Sequence, residues 1–145
     1  MTHARTIVIE EALRWRGTPY RHQGSVHGAG CDCLGLVRAI WRRLYGEEPE
    51  PVPPYTPDWS EDGPEALLEG ARRWLVEVEA AAPGDVVLFR MAPGGPVKHA
   101  AILTAPSRIV HAYWGRAVVE SRFTSFWRTR VAASFSFPGV DSWLR

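Results

Sequence analysis

Apolar positions recur at helical spacing through the first half of the chain and at short, strand-like intervals through the second. Ile7, Val8, Ala12 and Trp15 predict a helix over about Thr6 to Trp15, with Gly17 as its stop. The glycine-punctuated stretch from Gly17 to Gly30 reads as a loop. Leu36, Val37, Ile40, Trp41 and Leu44 form the stripe of a second helix from Cys33 to Tyr45. Arg38, Arg42 and Arg43 make its wet face, and Gly46 ends it. Glu48 to Pro57 is proline-rich and reads as a stiff surface loop. A third helix is expected over Glu61 to Trp74, with Ser60 or Asp62 near its start. Leu75 to Glu79 fits either a helix end or a strand.

After Pro83-Gly84-Asp85 the period shortens. Val86–Arg90, His99–Thr104, Arg108–Tyr113, Ala117–Ser121 and Val131–Phe137 read as strands separated by Gly, Pro and Ser breaks. Helices followed by an antiparallel meander mean an α+β fold, with N-terminal helices packed on a C-terminal sheet of about five strands. A length of 145 residues suits a single domain, 1–145, and 46% hydrophobic residues can fill its core without disulfide or metal staples.

The formal net charge of +1 gives no argument for nucleic acid. No apolar run approaches the length of a membrane span, and Met1 to Gly17 lacks the basic and apolar regions of a signal peptide. The expectation is a protein made in the cytoplasm. Of the seven tryptophans, Trp15, Trp41 and Trp74 fall on helical periods; Trp59, Trp114, Trp127 and Trp143 lie in loop-like or strand-end contexts suited to a groove or to packing.

Candidate chemistry centres on Gly30-Cys31-Asp32-Cys33-Leu34-Gly35, read with His99 and His111. Asp32 is a favoured helix cap, which puts Cys33 in the first turn, where the dipole and free amides favour a thiolate; a lowered thiol pKa is expected there. Cys31 lies before the cap and reads as a structural filler. If His99–Thr104 and Arg108–Tyr113 form a hairpin around Ala105-Pro106, a register of constant index sum sets His99 opposite His111, Ala101 opposite Ile109 and Leu103 opposite Ser107. His111 would then orient His99, and His99 would serve the thiol. A rival set, His22, His27, Cys31 and Cys33, has the donor types of a zinc site, but the two cysteines are separated by Asp32 alone, closer than common zinc spacings allow.

Taken together, Gly17-Thr18-Pro19-Tyr20, Gly30-Cys31-Asp32-Cys33-Leu34-Gly35-Leu36-Val37, Pro83-Gly84-Asp85-Val86-Val87-Leu88-Phe89, His99-Ala100-Ala101-Ile102 and Ile109-Val110-His111-Ala112 resemble the NlpC-type cell-wall peptidases, papain-like cysteine enzymes. Cys-Asp-Cys-Leu-Gly-Leu, Pro53-Pro54-Tyr55-Thr56-Pro57-Asp58-Trp59 and His111-Ala112-Tyr113-Trp114-Gly115-Arg116 resemble a branch found in phage tails and gene-transfer agents.

The resemblance implies Cys33 as nucleophile, His99 as base and His111 as the residue that orients it. It implies Tyr20, with Asp32, beside the substrate carbonyl and the oxyanion, and no metal or organic cofactor. The implied substrate is the peptidoglycan stem peptide, often cut between D-glutamate and the diamino acid. Phage-like tail proteins are implied partners, in a particle that acts at the cell wall. Leu34 stands where many relatives have serine, which leaves the bond preference open. A tail-assembly or baseplate module with auxiliary or lost activity, and a thiol acyltransferase, are the alternatives.

Overall fold

The computed structural model describes residues 1–50 and 65–142. Helix α1 (His3–Arg14) starts three residues earlier than its apolar pattern, because the Thr2 hydroxyl accepts from the Arg5 amide at 3.2 Å. The predicted loop that follows contains a small hairpin, β1 (Ser25–Val26) with β2 (Gly30–Cys31). Helix α2 (Cys33–Tyr45) has the predicted bounds. Asp32 caps it, and Gly46 ends it at φ +95°, a conformation that favours glycine.

Helix α3 (Ala66–Trp74) begins after Glu65. The Glu65 carboxylate is drawn away to Arg90, at 2.5 and 3.1 Å, and to the Val97 amide at 2.8 Å. The earlier part of the expected third helix, its candidate caps Ser60 and Asp62, most of the proline-rich stretch, Trp59 and Trp143 lie outside the described residues.

The ambiguous segment resolves as a short strand, β3 (Val76–Val78). The remaining strands are β4 (Val86–Arg90), β5 (Val97–Ala105), β6 (Arg108–Ala112), β7 (Val118–Arg122) and β8 (Val131–Ser136). The sheet order is β3-β8-β4-β5-β6-β7, antiparallel throughout. It therefore has six strands where five were expected. Only β4 to β7 form the meander; β8 crosses back beside β4 and picks up β3. A short helix unmarked by periodicity, α4 (Ser125–Arg128), bridges β7 and β8.

Alternation along the strands builds two cores. Val86, Leu88, Ala100, Ile102, Val110 and Phe135 face α1 and α2, where Val8, Leu36 and Ile40 meet them. Val87, Phe89, Ala101, Leu103 and Ile109 face the other way, against Phe123 and Trp127. Arg5 ties α1 to the sheet. Its guanidinium bonds Asp85 at 2.8 Å, Asp141 at 2.6 and 2.8 Å and the Pro83 carbonyl at 3.0 Å, while the Ser136 hydroxyl donates to Asp85 at 2.6 Å. The Pro83-Gly84-Asp85 turn thus supplies the buried counter-charge that docks the first helix.

Candidate active site

Asp32 fixes the helix end that carries Cys33. One carboxylate oxygen accepts from the Gly35 amide at 2.7 Å, and the other accepts from the Gln23 amide at 2.7 Å. The same side chain therefore caps α2 and pulls the preceding loop onto it. This works only because the backbones are close: a Cβ at Gly35 would overlap the Gly24 carbonyl, and the Asp32 amide donates to that carbonyl at 3.2 Å. Asp32 is buried, and its position beside Cys33 makes it a positioning group for the helix terminus.

Cys33 is 9% exposed, and its thiol lies near the backbone amides of Ala100, Leu34 and Cys33 itself, whose dipoles favour negative charge on the sulfur. The last two belong to the helix terminus, and Ala100 follows His99 on β5. The β5–β6 ladder ends at Ile102 opposite Val110, so Ala100 lies beyond the last paired rungs between these strands. The sulfur thus reaches strand β5 at the open end of that ladder.

His99 and His111 meet by a route that differs from the expected register. Leu103 pairs with Ile109 and Ile102 with Val110, a shift of two from the simple hairpin. The cause is the turn: Ala105 pairs with Arg108, and an irregularity follows between Leu103 and Ala105. A shift of two keeps every side chain on its face. His99 and His111 are therefore diagonal neighbours instead of directly opposed, and their rings span the diagonal with His99 Nε2 2.8 Å from His111 Nδ1. A bulge beside His99, with Phe89 opposite His99 and Arg90 opposite Val97, leaves Lys98 as the extra residue. Bulges of this kind re-aim side chains beside functional sites.

The two imidazoles belong to the core away from α2. His99 lies against Phe89, Trp127 and Tyr113, with ring centroids 5.8, 5.5 and 5.8 Å away. His111 meets Trp127 at 5.0 Å and Tyr113 at 5.5 Å, and its Nε2 lies 3.0 Å from Ser121 Oγ. The thiol approaches from the α2 side. Among the described residues no hydrogen bond joins the sulfur to the His99 ring. The structure brings His99 and His111 together directly, and brings Cys33 to the amide next to His99.

The electrostatics correct one expectation. Burial, reinforced by the adjacent Asp32 charge, pushes the Cys33 thiol up to about 12; the converging amides lower it, but less. The helix terminus was expected to win, and desolvation outweighs it. Burial likewise pushes His99 down to about 3, with His111 as a second cause, and His111 down to about 4. With these shifts Cys33 is a thiol and both imidazoles are neutral at neutral pH.

Tyr20 is half-buried near this thiol. Its phenol is held above the usual range by burial first, then by the nearby Cys33, Asp32 and Cys31. Its backbone is bridged to Cys31 and its amide donates to the Arg116 carbonyl at 2.9 Å. Its ring meets Trp114, which is 63% exposed, at 5.2 Å. An open cleft runs along Pro19, Tyr20, Trp114 and Arg116.

Cys31 is buried and its thiol donates to the Asp32 carbonyl at 3.1 Å, as a filler would. His27 turns away, with Nε2 2.9 Å from the Arg14 carbonyl oxygen and its ring edge-on to Trp15. The rival zinc set is therefore not gathered, and no group of three or more potential metal-ligating side chains converges among the described residues. Sequence reading did not identify Trp127, Tyr113, Phe89, Ser121 or the Ala100 amide as parts of this site. Trp127 carried the one available signal, an aromatic residue outside any regular period.

The NlpC/P60 family profile matches residues 17–135. The chain is 27% identical over 138 residues to gamma-DL-glutamyl hydrolase of Bacillus subtilis (strain 168), covering 92% of the chain and 29% of that relative. An NlpC/P60 family protein from Bacillus cereus ATCC 10987 superposes with a TM-score of 0.65 at 23% identity, over 94% of this chain and 41% of that one. The NlpC/p60 domain of the peptidoglycan hydrolase SagA superposes at 0.61 and 23% identity, covering 92% of this chain and 98% of the domain. The chain spans 29% of the Bacillus subtilis relative and 41% of the Bacillus cereus chain. No helix among the described residues is long and apolar enough to cross a membrane.

Proposed function

The chain belongs to the NlpC/P60 family, whose members are cell-wall hydrolases, and from that premise we propose that it is a cysteine endopeptidase acting on peptidoglycan stem peptides. The observation that carries the reading is the His99–His111 pair at 2.8 Å on β5 and β6, with the buried Cys33 thiol at the start of α2 near Ala100, the residue that follows His99. His99 Nε2 is committed to His111, so Nδ1 is the nitrogen left for the thiol proton.

In the proposed reaction His99 Nδ1 takes the Cys33 proton as sulfur bonds to the peptide carbonyl carbon. The carbonyl electrons move to oxygen, where helix-terminal amides stabilise the charge; one such donor contributes about 3 kcal/mol in enzymes generally. The C–N bond then breaks as His99 returns the proton to the leaving amine. Water attacks the thioester as His99 accepts its proton; the C–S bond then breaks, His99 passes that proton to sulfur, and the carboxylic acid product leaves a restored thiol and a neutral imidazole. Starting from a neutral pair, proton transfer accompanies attack. No step calls on a cofactor.

The γ-linked bond between D-glutamate and the diamino acid is the proposed target, supported by the activity in the name of the Bacillus subtilis relative. The cleft along Tyr20 and Trp114 is the proposed seat of the stem peptide. Delivery to the wall in a phage-like particle, with tail proteins as partners, is proposed on the sequence motifs alone.

The test is incubation with purified muropeptides and mass spectrometry of the products. Wild type should release fragments cut within the stem, and Cys33→Ala should release none while Cys31→Ala still does. Equal cleavage by wild type and Cys33→Ala would remove Cys33 as nucleophile.

A further inference from the structure

We propose that Ser121 is a positioning residue that selects the tautomer of His111 and, through it, the tautomer of His99. The proposal rests on the reading of His99 as the base for Cys33. Ser121 lies on β7 opposite Ile109, two residues along from the rung that pairs His111 with Val119, so it occupies the same face as His111. Its Oγ is 3.0 Å from His111 Nε2 and makes no other hydrogen bond among the described residues. His111 is 1% exposed, so water does not substitute freely for that contact.

A neutral His111 carries one N–H shared between two partners, His99 on one side and Ser121 on the other. Two arrangements satisfy both contacts. In the first, His99 Nε2–H donates to His111 Nδ1, and His111 Nε2–H donates to Ser121 Oγ. His99 Nδ1 is then bare and free to take the thiol proton. In the second, Ser121 O–H donates to His111 Nε2, and His111 Nδ1–H donates to His99 Nε2. His99 then carries its proton on Nδ1, the nitrogen that should accept one.

The reaction decides between them. Once His99 has taken the thiol proton, both of its nitrogens bear hydrogen and Nε2–H must donate to His111 Nδ1. Only the first arrangement permits this, and it requires an acceptor at His111 Nε2–H. Ser121 is that acceptor. Without it the productive arrangement strands a buried N–H, whereas the unproductive one leaves only a bare nitrogen lone pair. Loss of the hydroxyl should therefore tilt the resting site toward the wrong tautomer and weaken the imidazolium state.

The experiment uses the full chain, labelled with nitrogen-15, in wild-type, Ser121→Ala and Ser121→Thr forms. Long-range proton–nitrogen correlation spectra report which ring nitrogen of His99 and His111 is protonated, without substrate. Wild type and Ser121→Thr should show Nε2–H for both rings; Ser121→Ala should shift both toward Nδ1–H. With muropeptide, Ser121→Ala should lower kcat about tenfold at unchanged KM, and Ser121→Thr should restore it.

Unchanged nitrogen shifts in Ser121→Ala, or a kcat equal to wild type, would overturn the proposal. If the alanine variant does not fold, Ser121→Val set against Ser121→Thr asks the same question, since the two differ by a methyl in place of the hydroxyl. Failure of wild type to cleave muropeptide would count against the hydrolase reading alone, and the spectra would still decide the role of Ser121.

Discussion

His99 and His111 share a 2.8 Å hydrogen bond in a site where burial keeps both rings neutral. That neutrality has a cost in acid. An unfolded histidine titrates near 6.5, whereas these titrate at about 3 and about 4 in the fold. Between those limits the unfolded chain binds more protons, so stability rises with pH and is lost as pH falls below 6.5. Each histidine contributes a slope of at most about 1.4 kcal/mol per pH unit. Melting followed from pH 7.5 to 5, above the range where carboxylates titrate, should show a falling Tm, and His111→Gln should show a shallower fall. A Tm independent of pH across this window would contradict the buried neutral pair.

The raised Cys33 thiol predicts how the protein meets an alkylating agent. Thiolate is the reactive form. With the thiol held near 12, the thiolate fraction should grow about tenfold per pH unit from pH 7 to 10. Iodoacetamide labelling of Cys33, located by fragment mass spectrometry to separate it from Cys31, should follow that line without a plateau. A plateau near neutrality would instead mean a preformed thiolate–imidazolium pair.

The Arg5 cluster separates buried from exposed charge. Arg5→Ala leaves the Asp85 carboxylate buried, 1% exposed, without its cation. Breaking a buried pair in this way costs about 3–5 kcal/mol. Asp141→Asn touches the exposed side of the same guanidinium and should cost about 1 kcal/mol or less. Urea unfolding of the two variants checks the ratio. Comparable losses would mean that the cluster is not anchored by Asp85.

Much of this site is legible in the sequence. Asp32 before an apolar stripe marked the start of α2, and the bounds of α2 and β4 follow from periodicity alone. The pairing of His99 with His111 survived a wrong register, because a shift of two preserves the face of every side chain. What could not be read has a common physical cause: it depends on contacts distant in sequence. The β8 crossover, the packing of Trp127 on both imidazoles and the bulge at Lys98 leave no local period. The raised thiol pKa has the same origin. The helix terminus is written in Asp32-Cys33, whereas burial is set by the whole fold.

Gly35 and Gly70 offer a paired test of how closely the loop must approach the nucleophile helix. Both lie inside helices, where glycine-to-alanine substitution ordinarily stabilises by up to about 1 kcal/mol. At Gly70 an added Cβ meets nothing within 4 Å, so Gly70→Ala should raise stability by about that amount. At Gly35 the same carbon would collide with the Gly24 carbonyl, which is backbone and held by the Asp32 amide. Relief requires the loop to lift from α2, which loosens the Gln23–Asp32 bond that tethers it there. Overpacking of this kind costs about 1–3 kcal/mol. Gly35→Ala should therefore lower Tm where Gly70→Ala raises it, and should also slow muropeptide cleavage, because Asp32 sets the end of the helix that carries Cys33. Opposite signs in thermal unfolding, with the activity loss confined to Gly35→Ala, would tie the close approach of Gly24 to Gly35 to the geometry of the thiol; a stabilised, fully active Gly35→Ala would show that the loop can move without disturbing it.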